Sequence, residues 1–337
     1  MEIPHPYHLF LGDVADRLGA KTGIGIVDWR REWCLGQLRL PGCKADAGIS
    51  DMTVAEARAA GAKTFVIGCV NSGGSLPEHW VDTIIEAIES GMNVASGLHI
   101  RLSAVPGLAD AARKAGVELF DVRHSSERFG TGTGAKRPGK RLLTVGTDCS
   151  VGKKYTVLAL EKGMRDRGFD ADFRATGQTG VFISGRGVSI DAVVADFISG
   201  AAEYLSPAAD ENHWDLVEGQ GSLFHPAFAG VSMGLLHGSQ PDAFVVCHEP
   251  TRTTMRAVQT PLPSVQQVID LTILAGSVTN PDIRCVGISI NTSALDDDEA
   301  KEFLARISAD YDLPATDPVR YGVEVLVDRI ETEFGKP

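Results

Sequence analysis

Short apolar runs alternate along the chain with stretches in which apolar residues recur every three to four positions. The runs predict buried strands at residues 22–29, 64–70, 92–99, 117–122, 141–146, 170–176, 213–219, 242–249 and 284–291. The periodic stretches predict helices at residues 53–62, 77–91, 106–116, 189–205, 262–276 and 296–308, and one directly after Gly152. This alternation predicts an α/β fold with two Rossmann-like domains, each a parallel sheet covered by helices.

The alternation breaks over residues 124–140, where glycine, serine, threonine and basic residues replace the apolar period. We therefore predict an N-terminal domain over residues 1–125, a linker over 126–140 and a C-terminal domain over 141–337. Two domains in a chain of 337 residues imply a cleft between them.

Composition narrows the classes of partner and compartment. The formal net charge of −12 disfavours binding to nucleic acid or to an anionic membrane. The six cysteines show no spacing typical of a zinc site, and no targeting or membrane-spanning segment is evident, so we predict a cytoplasmic protein without a metal. The 37 glycines among 337 residues are a larger share than the average of about 7%, and this excess indicates specialised turns.

The strongest functional signal is the string RLLTVGTDCSVGKKYTVLAL, which begins at Arg141. A strand leads into a glycine-bounded loop, and two lysines and a helical stretch follow. Such a loop turns backbone N–H groups inward around an anion, and the helix adds its positive N-terminal end. The predicted phosphate-binding residues are Gly146, Thr147, Asp148, Cys149, Ser150, Val151, Gly152, Lys153 and Lys154.

The loop departs from the nucleotide-binding pattern G-x-x-x-x-G-K-[ST] in two places. Lys154 occupies the position of the hydroxyl that binds magnesium, and the first glycine is displaced by one to Gly146. A cation in place of a metal ligand predicts that the loop holds a phosphorylated cofactor and does not hydrolyse a nucleotide. A plain strand-to-helix turn is the alternative interpretation.

The segment VEGQGSLFHP supplies candidate bases. Glu218 closes a predicted strand, a turn with Gly219 and Gly221 follows, and His225 comes shortly after. The carboxyl ends of parallel strands bound the ligand crevice of such sheets. We predict Glu218 as general base, with His225 as an alternative base or proton relay. The alternatives are that Glu218 orders the glycine turn and that His225 is a surface residue.

Polar and cationic residues at other predicted strand ends are candidates for binding carboxylates or phosphates. Arg186 lies in a glycine-rich stretch expected to be mobile, and Asn291 is placed to meet an adenine-type base. The predicted substrate-binding residues are Asn71, Ser72, Gly73, His99, Arg186, Arg252, Arg256 and Arg320. An ordinary turn, a helix cap or a solvated position is the alternative for each.

The string GTDCSVGKK resembles the phosphate loop of dethiobiotin synthetase and its relatives, which implies a P-loop NTPase-like fold for the C-terminal domain. More widely, CVNSGGSLPEHW, ASGLH, VGTDCSVGKK, ATGQTG, VEGQGSLFHP and CHEP resemble the bacterial D-glutamate N-acetyltransferase family, with essentially full-length coverage. That resemblance implies transfer of the acetyl group of acetyl-CoA to the amino group of D-glutamate, giving N-acetyl-D-glutamate, in D-amino acid metabolism.

On this hypothesis Lys153 and Lys154 hold the pyrophosphate of acetyl-CoA and direct the thioester into the cleft between the domains. Backbone amides of residues 219–221 or 72–74 would meet the charge that develops on the thioester oxygen. The expected partners are small molecules, and a homodimer is the expected assembly. Two rival classes stay open: an ATP-dependent carboxylase, ligase or kinase of the dethiobiotin-synthetase type, and a nucleotide-binding protein without catalysis.

Overall fold

Two parallel β-sheets organise the chain, in agreement with the fold class that the sequence predicts. The computed structural model describes residues 2–17, 19–69, 76–124 and 127–337. One unit comprises Met1–Arg128 and Gly177–Ala192, and the other comprises Phe129–Thr176 and Val193–Pro337.

The strands described are β1 (Tyr7–Gly12), β2 (Cys34–Arg39), β3 (Thr64–Ile67), β4 (Asn93–Ser96), β5 (Leu119–Asp121), β6 (Lys140–Gly146), β7 (Ala171–Arg174), β8 (Trp214–Val217), β9 (Ala243–His248), β10 (Arg284–Ile290) and β11 (Ala315–Thr316). The helices described are α1 (Lys21–Arg30), α2 (Val54–Ala59), α3 (Val81–Glu89), α4 (Leu108–Ala115), α5 (Lys153–Asp166), α6 (Gln178–Ser184), α7 (Ile198–Leu205), α8 (Ala229–Ser239), α9 (Val265–Gly276), α10 (Asp297–Tyr311) and α11 (Glu324–Phe334).

The first unit contains a five-stranded sheet in the order β2-β1-β3-β4-β5, and each neighbouring pair is parallel. Buried side chains from β3, α3 and α4 form its core, among them Phe65, Ile84 and Leu108. The capping box of Thr53 and Glu56 fixes the start of α2. The sequence did not predict β1 or β2.

The second unit contains a six-stranded parallel sheet in the order β11-β10-β9-β6-β8-β7. Strand β6 therefore lies between β8 and β9, near the middle of the sheet. The strands that follow it in sequence lie on both sides of it: β7 and β8 on one side, and β9, β10 and β11 on the other. Ligands of open α/β sheets bind where the strand order reverses in this way. The sequence predicted β6 to β10 within a few residues at each end and missed the two-residue strand β11.

The expectation of a strand at residues 22–29 is wrong, because these residues lie in α1. All residues from Thr22 to Val27 are buried, so the helix has no polar face over this run and its pattern cannot be distinguished from that of a buried strand. Gly23 allows the helix to approach the end of β3 closely. Its N–H donates to the Gly68 carbonyl at 2.6 Å, and a Cβ on Gly68 would lie 2.9 Å from the Gly23 Cα.

The segment Gly177–Ala192 packs with the first unit, although the predicted boundaries place it in the C-terminal domain. It contains α6, where the sequence suggested a mobile stretch. The Tyr7 hydroxyl donates to the Phe182 carbonyl at 3.3 Å, and the Ser189 hydroxyl donates to the Val122 carbonyl at 2.8 Å. These contacts join residues far apart in sequence, so no local pattern announces them.

None of the helices in the described ranges is long and apolar enough to cross a membrane.

Candidate functional site

The predicted phosphate loop lies at the centre of the second sheet. Strand β6 ends at Gly146 and α5 begins at Lys153, so the predicted order of strand, loop and helix is confirmed. The Thr147 N–H donates to the Cys247 carbonyl at 3.1 Å, which ties the start of the loop to the end of β9. The loop therefore stands at the carboxyl edge of the sheet, at the point where the strand order reverses.

The N-terminus of α5 carries no side-chain cap from the described residues, as is also the case for α7, α8 and α11 in this unit. Ser264 and Asp296 head α9 and α10 with capping boxes, whereas no described side chain caps α5 at Gly152. The first N–H groups of a helix have no partner within the helix, and the helix dipole makes this end positive. An anion at the loop would supply the missing acceptor.

Asp148 is the hub of a buried ionic cluster inside the loop. Its Oδ2 accepts hydrogen bonds from Arg252 Nη1 at 2.6 Å and from the Arg256 backbone N–H at 2.7 Å, and its Oδ1 accepts one from the Cys149 N–H at 2.6 Å. Burial opposes ionisation, but these donors prevail and hold the pKa of Asp148 below its usual range. The carboxylate thus stays charged and organises the loop.

The two lysines after the loop occupy different surroundings. Lys153 is buried, and its Nζ donates to the Asp148 carbonyl at 2.7 Å. Burial lowers the pKa of Lys153. The Nζ of Lys154 lies 4.8 Å from the ring centre of Tyr155. Lys153 is therefore folded onto the loop that it is expected to serve.

Arg252 and Arg256 also contact the loop, from which 102 to 106 positions of sequence separate them. Arg252 Nη1 donates to the Cys149 carbonyl at 2.7 Å, and Arg256 Nη1 donates to the Ser150 hydroxyl at 2.8 Å. The structure therefore gathers both arginines, predicted for substrate binding, beside the predicted phosphate-binding residues. Two carboxylates of the described residues, Asp148 and Glu249, pair with Arg252 here, and Lys153 and Arg256 add two further cationic side chains. The cationic side chains outnumber the carboxylates, which favours an anionic ligand.

The predicted glycine turn lies against the same loop. The Gly219 N–H donates to Thr144 Oγ1 at 3.0 Å, and a Cβ on Gly219 would overlap the Thr144 carbonyl oxygen and lie 3.0 Å from Lys153 Cδ. The Ser222 hydroxyl donates to the Thr147 carbonyl at 3.3 Å. Only glycine permits this close approach of the turn to β6.

The Glu218 carboxylate has a structural contact. Glu218 is 5% exposed, its Oε2 accepts a hydrogen bond from the Thr176 N–H at 3.0 Å, and its carbonyl accepts one from the Thr176 hydroxyl at 2.5 Å. Glu218 therefore fixes the residue at which the chain leaves this unit for the segment Gly177–Ala192.

His225 is 1% exposed, and both of its ring nitrogens are engaged by backbone groups. Nδ1 accepts a hydrogen bond from the Ala227 N–H at 3.1 Å, and Nε2 donates to the Arg256 carbonyl at 3.0 Å. These contacts define a neutral tautomer that supports the loop carrying Arg256.

Asp148, Cys149 and His225 offer potential metal-ligand atoms within 4.8 Å of one another. The Asp148 oxygens already accept from three donors, and His225 directs Nε2 to the Arg256 carbonyl. Burial raises the pKa of the Cys149 thiol, which disfavours a thiolate ligand. The donor set therefore suits the existing hydrogen bonds better than a cation.

His248 completes this edge of the sheet; the sequence places it at the end of a predicted strand, in the string CHEP, but assigns it no role. It ends β9, and its Nδ1 lies 3.1 Å from Thr147 Oγ1. Burial lowers the pKa of His248. Its position at a strand end beside the predicted loop was the available signal.

Asn291 and Arg320 lie near the end of β10. Asn291 Oδ1 accepts a hydrogen bond from the Ser293 N–H at 3.1 Å, and Arg320 Nη1 donates to the Leu295 carbonyl at 3.2 Å. Both side chains contact the segment that follows β10.

The remaining predicted residues belong to the first unit. His99 is exposed and its carbonyl accepts a hydrogen bond from His124 Nε2 at 2.8 Å. Arg186 is exposed, and its backbone N–H donates to the Ser184 hydroxyl at 3.2 Å. Asn71, Ser72 and Gly73 lie outside the described residues.

Comparison with known families gives matches over both units. A model described as the Rossmann-like domain DUF1611_N, a domain of unknown function, matches residues 38–125. A model described as the P-loop domain DUF1611_C matches residues 128–327. The N-terminal Rossmann-like and C-terminal P-loop character agrees with the two sheets.

Full-length relatives extend this similarity. The chain is 54% identical to a D-glutamate N-acetyltransferase of Pseudoalteromonas sp., over 97% of this chain and 99% of that one. It is 50% identical to a D-glutamate N-acetyltransferase of Tritonibacter scottomollicae, again over 97% and 99%. A crystal structure of a DUF1611 family protein from Anabaena variabilis is 31% identical and superposes with a TM-score of 0.85, covering 98% of this chain and all of that one.

Proposed function

The chain belongs to the DUF1611 family and to the D-glutamate N-acetyltransferases, and on this premise we propose that it transfers an acetyl group to the amino group of D-glutamate. The product is N-acetyl-D-glutamate. The full-length identity of about half to two enzymes of that name carries this assignment.

Acetyl-CoA is the proposed acetyl donor. Two observations support it. The N-terminus of α5 has no side-chain cap from the described residues, and Lys153, Arg252 and Arg256 all donate hydrogen bonds to the loop that precedes it. Such a site suits the phosphates of the ADP portion of coenzyme A. Lys154 stands where a magnesium-binding hydroxyl would be in an NTPase, and transfer from a thioester breaks no phosphate bond.

The proposed division of labour follows from these contacts. The loop and Lys153 hold the pyrophosphate, and Asp148 keeps Arg252 and the backbone of Arg256 in place beside it. Asn291 is proposed to contact the adenine. Arg186, Arg320 and His99 stay proposals for the acceptor carboxylates, as do Asn71, Ser72 and Gly73.

The decisive experiment follows free thiol release from acetyl-CoA against a panel of D- and L-amino acids. We expect release with D-glutamate and little with L-glutamate. Silence across the whole panel would contradict the acetyltransferase assignment. Magnesium-dependent consumption of ATP would instead support the rival ligase or kinase class, and ligand binding without any product would support a binding protein.

The cofactor assignment predicts the effect of Lys153→Ala. Loss of a charged hydrogen-bond donor should weaken coenzyme A binding by about 10- to 100-fold, while binding of D-glutamate changes little. Calorimetric titration measures both. The matched control is Lys162→Ala on the same helix, because Lys162 is exposed and pairs with Asp166. Unchanged coenzyme A affinity in Lys153→Ala would contradict the assignment.

A role in D-amino acid metabolism, a homodimeric assembly and a cytoplasmic location are further parts of the proposal. All six cysteines lie in the described part of the chain and are free, which fits a reducing compartment. Ile273, Leu274 and Val278 are exposed apolar residues at the end of α9, where a second copy of the chain could cover them.

A further inference from the structure

The acetyl transfer requires a base at the carboxyl edge of the second sheet. The amino group of D-glutamate is protonated at neutral pH, and an ammonium nitrogen has no lone pair with which to attack a thioester. The two bases expected from the sequence have structural contacts. The Glu218 carboxylate accepts the Thr176 N–H, and both ring nitrogens of His225 are bonded to backbone groups.

His248 meets the requirement of position. It is the last residue of β9, and β9 pairs directly with β6, the strand that leads into the phosphate loop. Its Nδ1 lies 3.1 Å from the hydroxyl of Thr147, the first residue after β6, and the Thr147 N–H is itself held by the Cys247 carbonyl at 3.1 Å. The imidazole is therefore held beside the loop by its Nδ1, through a threonine whose backbone is itself bonded to β9.

His248 also meets the requirement of availability. The side chain is partly exposed, and no residue in the described ranges forms a hydrogen bond with its Nε2. When the Nδ1 proton is donated to Thr147 Oγ1, the lone pair resides on Nε2. A neutral imidazole oriented by a hydroxyl, with its second nitrogen open, is the arrangement of a general base.

We propose that His248 is the general base that removes a proton from the acceptor ammonium group. This inference rests on the proposed acetyltransferase function. The freed amine forms a C–N bond with the thioester carbon, and the electron pair of the breaking C–S bond leaves with the sulfur. His248 passes its proton to the coenzyme A thiolate, and the second proton, lost as the amide forms, goes to water.

Burial favours the neutral form of His248 over the opposing effect of a neighbouring carboxylate. Burial lowers the pKa of His248, the Glu249 carboxylate acts in the opposite direction, and the Arg252 guanidinium acts in the same direction as burial. The ordinary pKa of histidine is about 6.5. At neutral pH the imidazole is therefore unprotonated and ready to accept a proton.

The test compares His248→Asn with His248→Gln. Asparagine places a polar atom near the position of Nδ1 and keeps a partner for Thr147, but it has no titratable nitrogen. With D-glutamate and acetyl-CoA, we expect kcat of the asparagine variant to fall by about 10²- to 10⁴-fold. Coenzyme A affinity should stay unchanged by calorimetry, and the glutamine variant should lose kcat similarly.

The pH profile separates a base from a structural residue. The wild type should lose activity at pH values below the ordinary histidine pKa of about 6.5, as His248 becomes protonated, and the residual activity of His248→Asn should lack this acid limb. Added imidazole should partly restore activity to His248→Ala. The matched control is His237→Asn, because His237 is a partly buried histidine of α8 bonded to the Ala275 carbonyl, and its activity should equal that of the wild type.

Wild-type kcat in His248→Asn, with the acid limb retained, would overturn the role of His248 and leave the acetyltransferase function standing. Absence of thiol release from the wild type itself would overturn both.

Discussion

The two edges of the second sheet carry buried ionic clusters of different kinds. At the carboxyl edge, Asp148 and Lys153 belong to the phosphate loop, and the helix that follows begins without a side-chain cap. At the amino edge, Arg141 and Asp215 face each other across β6 and β8, and each is 1% exposed. The same sheet thus positions both clusters, about one strand length apart.

The two clusters differ in how many of their hydrogen-bonding groups already have a partner within the protein. All five N–H groups of Arg141 are satisfied, by the Ser206 hydroxyl and by the backbone carbonyls of Arg137, Pro138, Gly139 and Pro207. The carboxyl edge retains the uncapped end of α5 and the Nε2 of His248, with which no described residue forms a hydrogen bond. A closed cluster stabilises the fold, whereas an open one can still receive a ligand.

The largest expected effect breaks the closed cluster. Arg141→Met should reduce the free energy of unfolding of the second unit by about 3–5 kcal/mol, because four backbone carbonyls and the Ser206 hydroxyl lose their donor and the buried Asp215 carboxylate loses a neighbouring cation. Denaturant titration followed by tryptophan fluorescence, to which the buried Trp214 of β8 contributes, measures this. Folded protein should keep its coenzyme A affinity.

The control for this variant is Arg306→Met, an exposed arginine on α10 that lies over the Phe303 ring. Its loss should be less than about 1 kcal/mol. Equal losses in both variants would show that the amino-edge cluster contributes no special stability.

Gly219→Ala, at the carboxyl edge of the second sheet, should cause a smaller loss of stability together with a loss of coenzyme A binding. The new Cβ would overlap the Thr144 carbonyl and press on Lys153, so unfolding free energy should fall by about 1–3 kcal/mol. Coenzyme A affinity should fall as well, because the turn and the loop move apart. Calorimetry and denaturant titration report the two effects.

Gly230→Ala is the matched control, since Gly230 lies on α8 and a Cβ there meets no atom within 4 Å. Helix propensity predicts a gain of up to about 1 kcal/mol for this variant. Full coenzyme A binding by Gly219→Ala would contradict the close contact between turn and loop.

Local features of this comparison were readable in the sequence. The strand, loop and lysines at residues 141–154 are contiguous, so their order predicts the phosphate loop directly. The partners of the loop were not readable, because Arg252 meets Asp148 across 104 residues of chain. The sequence predicts that Arg252 binds a substrate carboxylate, whereas in the structure its partner is the Asp148 carboxylate of the protein itself.

The wrong strand at residues 22–29 and the unexpected placement of the segment Gly177–Ala192 have the same physical origin. Helix α1 is buried along the run from Thr22 to Val27, so the polar face that marks a surface helix is missing. The segment Gly177–Ala192 joins the first unit through contacts with residues such as Tyr7 and Val122, more than 60 positions away. Tertiary packing determines both the conformation of α1 and the placement of Gly177–Ala192, and the periodicity of apolar residues in the sequence carries no information about it.

The smallest expected effect is a pH dependence at the closed edge. His213 Nδ1 lies 2.8 Å from Asp170 Oδ2, and its Nε2 lies 3.1 Å from Asp215 Oδ1. Burial opposes its charge, but the two carboxylates prevail and raise the pKa of His213. A histidine whose pKa is raised by folding stabilises the protein fully below the unfolded pKa of about 6.5 and progressively less as the pH rises through the folded value.

The comparison is therefore between the wild type and His213→Gln in denaturant titrations from pH 5.5 to 8.5. The wild type should be more stable by less than about 1 kcal/mol at the acid end, because Asp170 is exposed, and the gap should close toward the alkaline end. Activity should not follow the same curve, since the open edge titrates through His248. If the difference in unfolding free energy between the two proteins were independent of pH, His213 would contribute packing alone, and its protonation would not affect the stability of the amino edge.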